Sequence, residues 1–225
     1  MHKIRSYRSI GRRRNRMSDD VPSEVGSLSE AEMLQMMAGH PMDAGMPRGV
    51  EADENRVYFY SSVGEKEVFE LVKILRAMDI EMQALALRLG VKEIPIQLHI
   101  HSGGGDLFSG FAAVDTIESI KTPIHTYVQG SVASAATLMS ICGKERYMYK
   151  NSLMLIHQIS SSMLYGKYHE FLDEVENQNL LMKKVKSIYK KKTKLKEKQL
   201  NEMLQHDLWL NAEQCLEYGL IDKIL

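Results

Sequence analysis

Polar and apolar positions change period several times along the 225-residue chain. β-Branched and aromatic residues crowd the run RVYFYS (Arg56 to Ser61), which predicts a strand. Val68, Leu71, Val72 and Leu75 then recur at helical spacing. IPIQLHIHS (Ile94 to Ser102) alternates as a second strand and runs directly into three glycines. Phe108, Phe111, Val114, Ile117 and Ile120 form the apolar stripe of a second helix, and IHTYV (Ile124 to Val128) predicts a third strand. ERYMY and SLMLIH predict two more strands, joined by a turn at Lys150-Asn151. Strand and helix alternate throughout, which predicts an α/β domain with parallel strands and right-handed crossovers.

Beyond this block, Tyr168, Phe171, Val175, Gln178, Met182, Val185 and Tyr189 repeat at steps of three and four, predicting one long helix from about Lys167 to Lys191. Its heptad-like seam calls for a partner. Nine lysines between Lys183 and Lys198 read as its solvated end, because no aromatic platform for nucleic acid interleaves them. Near the end of the chain, Asn211 and Gln214 form a cap, Gly219 stops the helix and an apolar strand follows. In the opening 54 residues, Ser27 and Glu30 form a capping box ahead of a short helix ending at Gly39, and residues 40–54 read as a linker. The expected organisation is therefore a basic tail, short helix and linker over 1–54, and a folded domain over 55–225.

Composition narrows the class. With 44% hydrophobic and 26% charged residues the chain can bury one sizeable core. Its net charge is zero, yet every charged residue from Met1 to Arg16 is basic. That run reads as a solvated tail, with a contact to nucleic acid or an acidic partner, or a transit peptide, as the alternatives. Cys142 and Cys215 are too few for a disulfide framework and lack metal-ligand spacing, so both read as packing thiols in a reducing compartment. No stretch approaches the roughly 18 apolar residues of a membrane span, and no apolar signal core follows Met1, so a soluble, cytoplasmic protein is expected. His99 and His101 lie two apart on one strand face, but no carboxylate or cysteine accompanies them at ligand spacing, and no metal is expected.

QGSVASAATLMS (Gln129 to Ser140) sets Ser131, Ser134, Thr137 and Ser140 at a three-residue spacing among small and apolar side chains. Two readings fit. The hydroxyls bond back to carbonyls inside a closely packed helix, or one of them is a nucleophile. A nucleophilic serine needs a base, a group that orients the base, and donors for an oxyanion. Ser134 falls at a strand-to-helix junction, His157 ends an apolar strand, and Asp207 precedes a helix cap. SGGG (Ser102 to Gly105) leaves bare backbone amides beside a strand end. Each of these also has a plain structural reading, as a turn or a core histidine, and the residues alone leave the choice open.

The succession HSGGGDLFSG, GSVASAATLMS, NSLMLIHQ and HDLWLNAEQCLEYGLIDKIL resembles the proteolytic subunit of the ATP-dependent Clp protease, from about Asn55 to Leu225. The resemblance implies an α/β fold of the crotonase-like ββα superhelix type with a long protruding handle helix. It also implies a serine endopeptidase that cleaves unfolded polypeptides. By position it makes Ser134 the nucleophile, His157 the base and Asp207 the orienting acid. Gly105 and Ala135 would give the oxyanion amides, and Gly104, Leu107 and Ile159 would contact substrate, with an apolar preference beside Leu107 and Ala135.

The resemblance further implies a homo-oligomer of two stacked heptameric rings, with no cofactor in the subunit itself. ATP would be used by an AAA+ unfoldase partner of the Clp type, and neither membrane nor nucleic acid is an expected partner. Other expectations within the same fold are a non-catalytic ring subunit and a viral capsid-maturation protease. The last would place the protein in a host cytoplasm, and an organelle-encoded copy is a further alternative. The chain departs from the family pattern in lacking a proline in the Ser102–Gly105 loop, in the ISSSMLYGK segment after Gln158, and in having His206 where the family has arginine.

Overall fold

The computed structural model describes residues 49–160 and 165–225. The basic tail, the capped helix at 27–39 and the first part of the expected linker lie outside the described residues. The last part of that linker is a strand. β1 (Gly49–Asp53) pairs antiparallel with β2 (Arg56–Tyr60) through a tight turn in which Glu54 takes φ 53°. Its residues are largely exposed and carry little strand signal; pairing with the edge of β2 makes the strand.

From β2 the chain runs through α1 (Glu65–Leu89) to β3 (Ile96–Ser102), then through α2 (Leu107–Ser119) to β4 (Ile124–Ala133). The strands β2, β3 and β4 are parallel, in the order β1-β2-β3-β4, as the alternating pattern predicts. Two strands divide β4 between them. Its first half pairs with β5 (Glu145–Met148) and its second half with β6 (Leu153–Leu155), both parallel. Across that division the register against β3 shifts between Ile100 and Ser102.

The core lies between the sheet and the helices. Val68, Leu71, Leu75, Met78 and Met82 of α1 are buried with Val57, Phe59, Leu98, Ile100 and Val128 of the strands. In α2 the expected stripe holds at Phe111, Val114, Ile117 and Ile120 and fails at its first member. Phe108 is 66% exposed, while Gly110, Ala113, Val114 and Ile117 face inward. Asp106 starts the helix as N-cap by accepting from Ser109 N and Oγ, both at 2.6 Å. Those bonds from Ser109 hold the Asp106 carboxyl below its ordinary pKa. On the other sheet face, the rings of Tyr58, His99, Tyr127 and Tyr147 stack across four strands at centroid spacings of 5.0, 4.6 and 4.7 Å. Burial, with the Arg56 charge adding to it, keeps His99 below the usual imidazole pKa, so it stacks as a neutral ring.

The long helix appears as α4 (Tyr168–Lys192), after the short α3 (Ala135–Ile141). Only Val185 and Tyr189 of its seam are buried, and Tyr168, Phe171 and Val175 stand exposed. Two small elements that the sequence pattern does not signal follow: α5 (Glu197–Met203) and β7 (Trp209–Leu210), which pairs antiparallel with β6. The capped helix α6 (Ala212–Glu217) and β8 (Lys223–Ile224) close the fold as expected, with β8 parallel to β5. Among the described residues, no helix is long and apolar enough to cross a membrane.

Arg146 of β5 fastens this last segment. Its Nη1 donates to Lys192 O at 2.7 Å and Gly219 O at 2.8 Å, and its Nε and Nη2 donate to the Asp222 carboxylate. Replacing Arg146 with alanine is expected to cost about 2–3 kcal/mol, mostly from the two carbonyls, because Asp222 is half-exposed and its ion pair is screened. The bonds from Arg146 lower the Asp222 pKa, so its contribution is complete above the ordinary aspartate value of about 4. It disappears as pH falls through the lowered folded value. Thermal melts from pH 2 to 7 check this: Asp222→Asn should be closest to wild type in stability at the acid end.

Candidate active site

Two short strands decide where the three candidate side chains lie. In the β4–β6 ladder Ala133 pairs with Leu155, and one residue further Ser134 N donates to Leu155 O at 3.0 Å. In the β6–β7 pair the same Leu155 lies opposite Trp209. Ser134 therefore leaves β4 level with Leu155, His157 stands two residues beyond it, and Asp207 stands two residues before its other partner. The ladder brings together three side chains that are far apart in sequence. His157 Nδ1 and Asp207 Oδ1 are 3.1 Å apart. A carboxylate oxygen accepts here, so Nδ1–H is the donor and Nε2 is the ring nitrogen left facing away from Asp207. In this single chain His157 is 30% and Asp207 77% exposed at the side chain, and no hydrogen bond joins the Ser134 hydroxyl to the His157 ring.

Ser134 sits at φ 55°, ψ −128°, one of two non-glycine residues with positive φ among those described. Such a backbone costs on the order of 1–3 kcal/mol and persists only where its surroundings over-determine it. Here Leu155 O takes its N–H, and its own carbonyl accepts from Thr137 N at 3.0 Å and Thr137 Oγ1 at 2.6 Å. The kink lifts the half-buried side chain of Ser134 out of the sheet at the start of α3. Ala135 N, in the first turn of that helix, has no intrahelical acceptor.

The glycine loop packs against this turn. Gly105 bridges Val63, using Val63 N to Gly104 O at 2.8 Å and Asp106 N to Val63 O at 2.7 Å, so the Gly105 amide is left out of the pairing. A Cβ on Gly104 would lie 2.6 Å from Ser134 Cβ and 3.2 Å from Ala135 N; one on Gly105 would lie 2.5 Å from Val63 O. Both glycines are thus required by close backbone approach. Gly104 packs directly on Ser134, and Gly105 and Ala135, whose amides take no part in this pairing, line the same cleft as the serine.

Ser134, Ala135, His157, Gly105, Leu107 and Ile159 line one cleft of about 540 Å³. Leu138, Leu181, Val185 and Tyr189 add apolar lining, and Asp106, Gln158, Glu174 and Gln178 add polar lining, so the cleft is of mixed character. Asp207 stands behind His157 and Gly104 lies beneath Ser134, both outside the lining. The other hydroxyls of the Gln129–Ser140 run divide. Ser131 belongs to β4, not to a helix, and its N–H meets His101 Nδ1. Thr137 bonds back to Ser134 O and also to the hydroxyl of Tyr189. No sequence signal pairs Thr137 with Tyr189, 52 residues away. The Val63 bridge is likewise invisible in sequence, whereas the Asp106–Ser109 cap matches a known spacing. Among the described residues, no cluster of three His, Cys, Asp or Glu could hold a metal ion.

A profile of the Clp protease family matches residues 56–225. Among curated relatives, the ATP-dependent Clp protease proteolytic subunit 2 of Treponema denticola is 36% identical over 58% of this chain and 66% of its own length. The match therefore spans just under two thirds of that relative. The proteolytic subunit of Streptococcus mutans is 33% identical, with 58% of this chain and 68% of that protein covered. Subunit 1 of Chlamydia muridarum is 27% identical over 77% and 87%. Among solved structures, a point mutant of ClpP1 from Listeria monocytogenes superposes with a TM-score of 0.66 at 20% identity, over 77% of this chain and 92% of that one, which establishes the fold.

The loop packing predicts a contrast between neighbours. Gly103 has open space around it, whereas Gly104 has φ 92° and no room for a Cβ. Gly104→Ala should lose at least about 2 kcal/mol and several degrees of Tm, and Gly103→Ala should stay within about 0.5 kcal/mol of wild type. Thermal melts of the two variants measure the difference.

Proposed function

The chain belongs to the Clp protease family, and on that premise we propose that it is a serine endopeptidase subunit acting on unfolded polypeptides. The observation that carries the proposal is the β4–β6–β7 ladder, which sets Ser134, His157 and Asp207 around Leu155 beside two unpaired amides. Ser134 Oγ attacks a peptide carbonyl while His157 Nε2 takes its proton, and Asp207 holds the ring through Nδ1 and stabilises the imidazolium. The amides of Gly105 and Ala135 receive the oxyanion. The protonated His157 then delivers its proton to the leaving amine, and a water activated by the same ring releases the acyl group. Leu107 and Ile159, with Leu138 and Leu181 of the cleft, favour an apolar side chain next to the scissile bond.

The catalytic serine and its base are not yet hydrogen-bonded in the single chain. Such contacts commonly tighten only on binding or assembly. The uncovered seam of α4, with Tyr168, Phe171 and Val175 exposed, supports assembly with further copies, as two stacked heptameric rings. In this reading ATP is consumed by an AAA+ unfoldase that feeds the chamber, and the subunit itself uses no cofactor. Its place is the cytoplasm, in keeping with two unpaired buried thiols. The absent serine–histidine bond also favours a second reading, a ring subunit without chemistry of its own.

A fluorophosphonate probe decides between the two. Labelling at Ser134, abolished in Ser134→Ala, is expected, with hydrolysis of an apolar fluorogenic dipeptide amide falling at least about 10³-fold in Ser134→Ala and in Asp207→Asn. Labelling that persists in Ser134→Ala, or a wild-type protein that neither labels nor cleaves, refutes the peptidase reading. Electron microscopy of the purified protein should show seven-fold stacked rings, and a monomer at every concentration refutes the assembly.

A further inference from the structure

Tyr189 ends the buried face of α4, is 2% exposed and is among the residues lining the cleft. A leucine would fill that position without burying a hydroxyl. The hydroxyl is engaged: it is hydrogen-bonded to Thr137 Oγ1, and Thr137 Oγ1 is 2.6 Å from Ser134 O. Each hydroxyl has one proton to give, and a carbonyl can only accept. Thr137 therefore donates to Ser134 O, and Tyr189 must be the donor to Thr137. Burial holds the Tyr189 pKa above its ordinary value, so the phenol keeps the proton that this order requires. The donors run in one direction, from α4 through α3 to the carbonyl of the serine.

That carbonyl shares a peptide group with Ala135 N–H. A trans peptide is planar, and its C=O and N–H point in opposite directions. Fixing Ser134 O therefore fixes the aim of Ala135 N–H. Donation to the carbonyl also polarises the peptide and strengthens its N–H as a donor. We propose that Tyr189 is a positioning residue: acting through Thr137, it orients the Ser134–Ala135 peptide so that Ala135 N–H meets the oxyanion of the acyl-transfer step. The inference rests on the peptidase reading of Ser134 given above. It makes the seating of α4 on α3 a condition for rate and not only for stability, because Tyr189 loses reach of Thr137 if the helix end shifts by an ångström or so.

The test uses the full chain and a kinetic cycle of Tyr189→Phe, Thr137→Val and the double variant, assayed on an apolar fluorogenic dipeptide amide well below the Tm of each protein. Tyr189→Phe should lower kcat about tenfold while KM changes less than about twofold. Thr137→Val should lose at least as much, and the double variant no more than Thr137→Val alone, because the two hydroxyls form one chain. Thr137→Ser keeps the donor and should remain within about threefold of wild type, which tests the proposal even if Tyr189→Phe fails to fold. A Tyr189→Phe enzyme with a lower Tm and an unchanged kcat overturns the proposal. So do losses that multiply in the double variant, or a Thr137→Ser enzyme as slow as Thr137→Val. A wild-type protein that neither cleaves the peptide nor labels at Ser134 overturns the peptidase reading first, and this inference with it.

Discussion

The register of β6 governs the rest of the site. This three-residue strand is held between β4 and β7, and its Leu155 serves as common neighbour to Ala133 and Trp209. Strand side chains alternate between faces, so a slip of one residue would turn His157 to the opposite side and separate it from both Ser134 and Asp207. So short a strand has little stability of its own. Its register is set by side chains that lie outside the chemistry: Met154 is fully buried in the main core, and Ile156 and Leu210 are almost so. The accuracy of the site is therefore a property of the core, and conservative changes at Met154 or Leu210 act on it at a distance.

Around that register the backbone holds an unfavourable conformation. Ser134 keeps positive φ because bonds from both sides restrain it, from Leu155 through its amide and from Thr137 through its carbonyl. The glycine loop could follow so closely only without side chains at Gly104 and Gly105, and Val63 ties it to the segment ahead of α1. Three regions of the chain thus meet at one kink. None of them is positioned by local propensity alone: the loop and Val63 are bonded to each other, the kink is bonded to β6, and the loop packs on the kink.

Much of the architecture was legible in the sequence because burial imposes periods. β2, β3 and the start of β4 alternate in the expected places, α1 turns its expected apolar face inward, α4 runs close to its expected bounds, and Asn211 caps α6 as its spacing indicates. What escaped was decided by tertiary pairing. β1 is too polar to announce itself, and β7 is only two residues long. The α2 stripe missed at Phe108, in the first turn, where the face toward α3 is taken by a residue without a side chain, Gly110, packed against Ala135. Sequence pointed to Ser134, His157 and Asp207 as candidates through their places at element ends and through motif resemblance. Their juxtaposition follows from a ladder that no period encodes.

Cys142 and Cys215 lie in the same packed interior, and burial pushes both thiols up to about 12. A thiol in that state is almost wholly protonated near neutrality and barely nucleophilic. Alkylating reagents can then modify it only when the surrounding structure opens, at a rate that follows local or global unfolding. The two sulfurs are built-in clocks of the breathing of the protein, and slow inactivation by such reagents would report on that breathing instead of on a cysteine in the reaction.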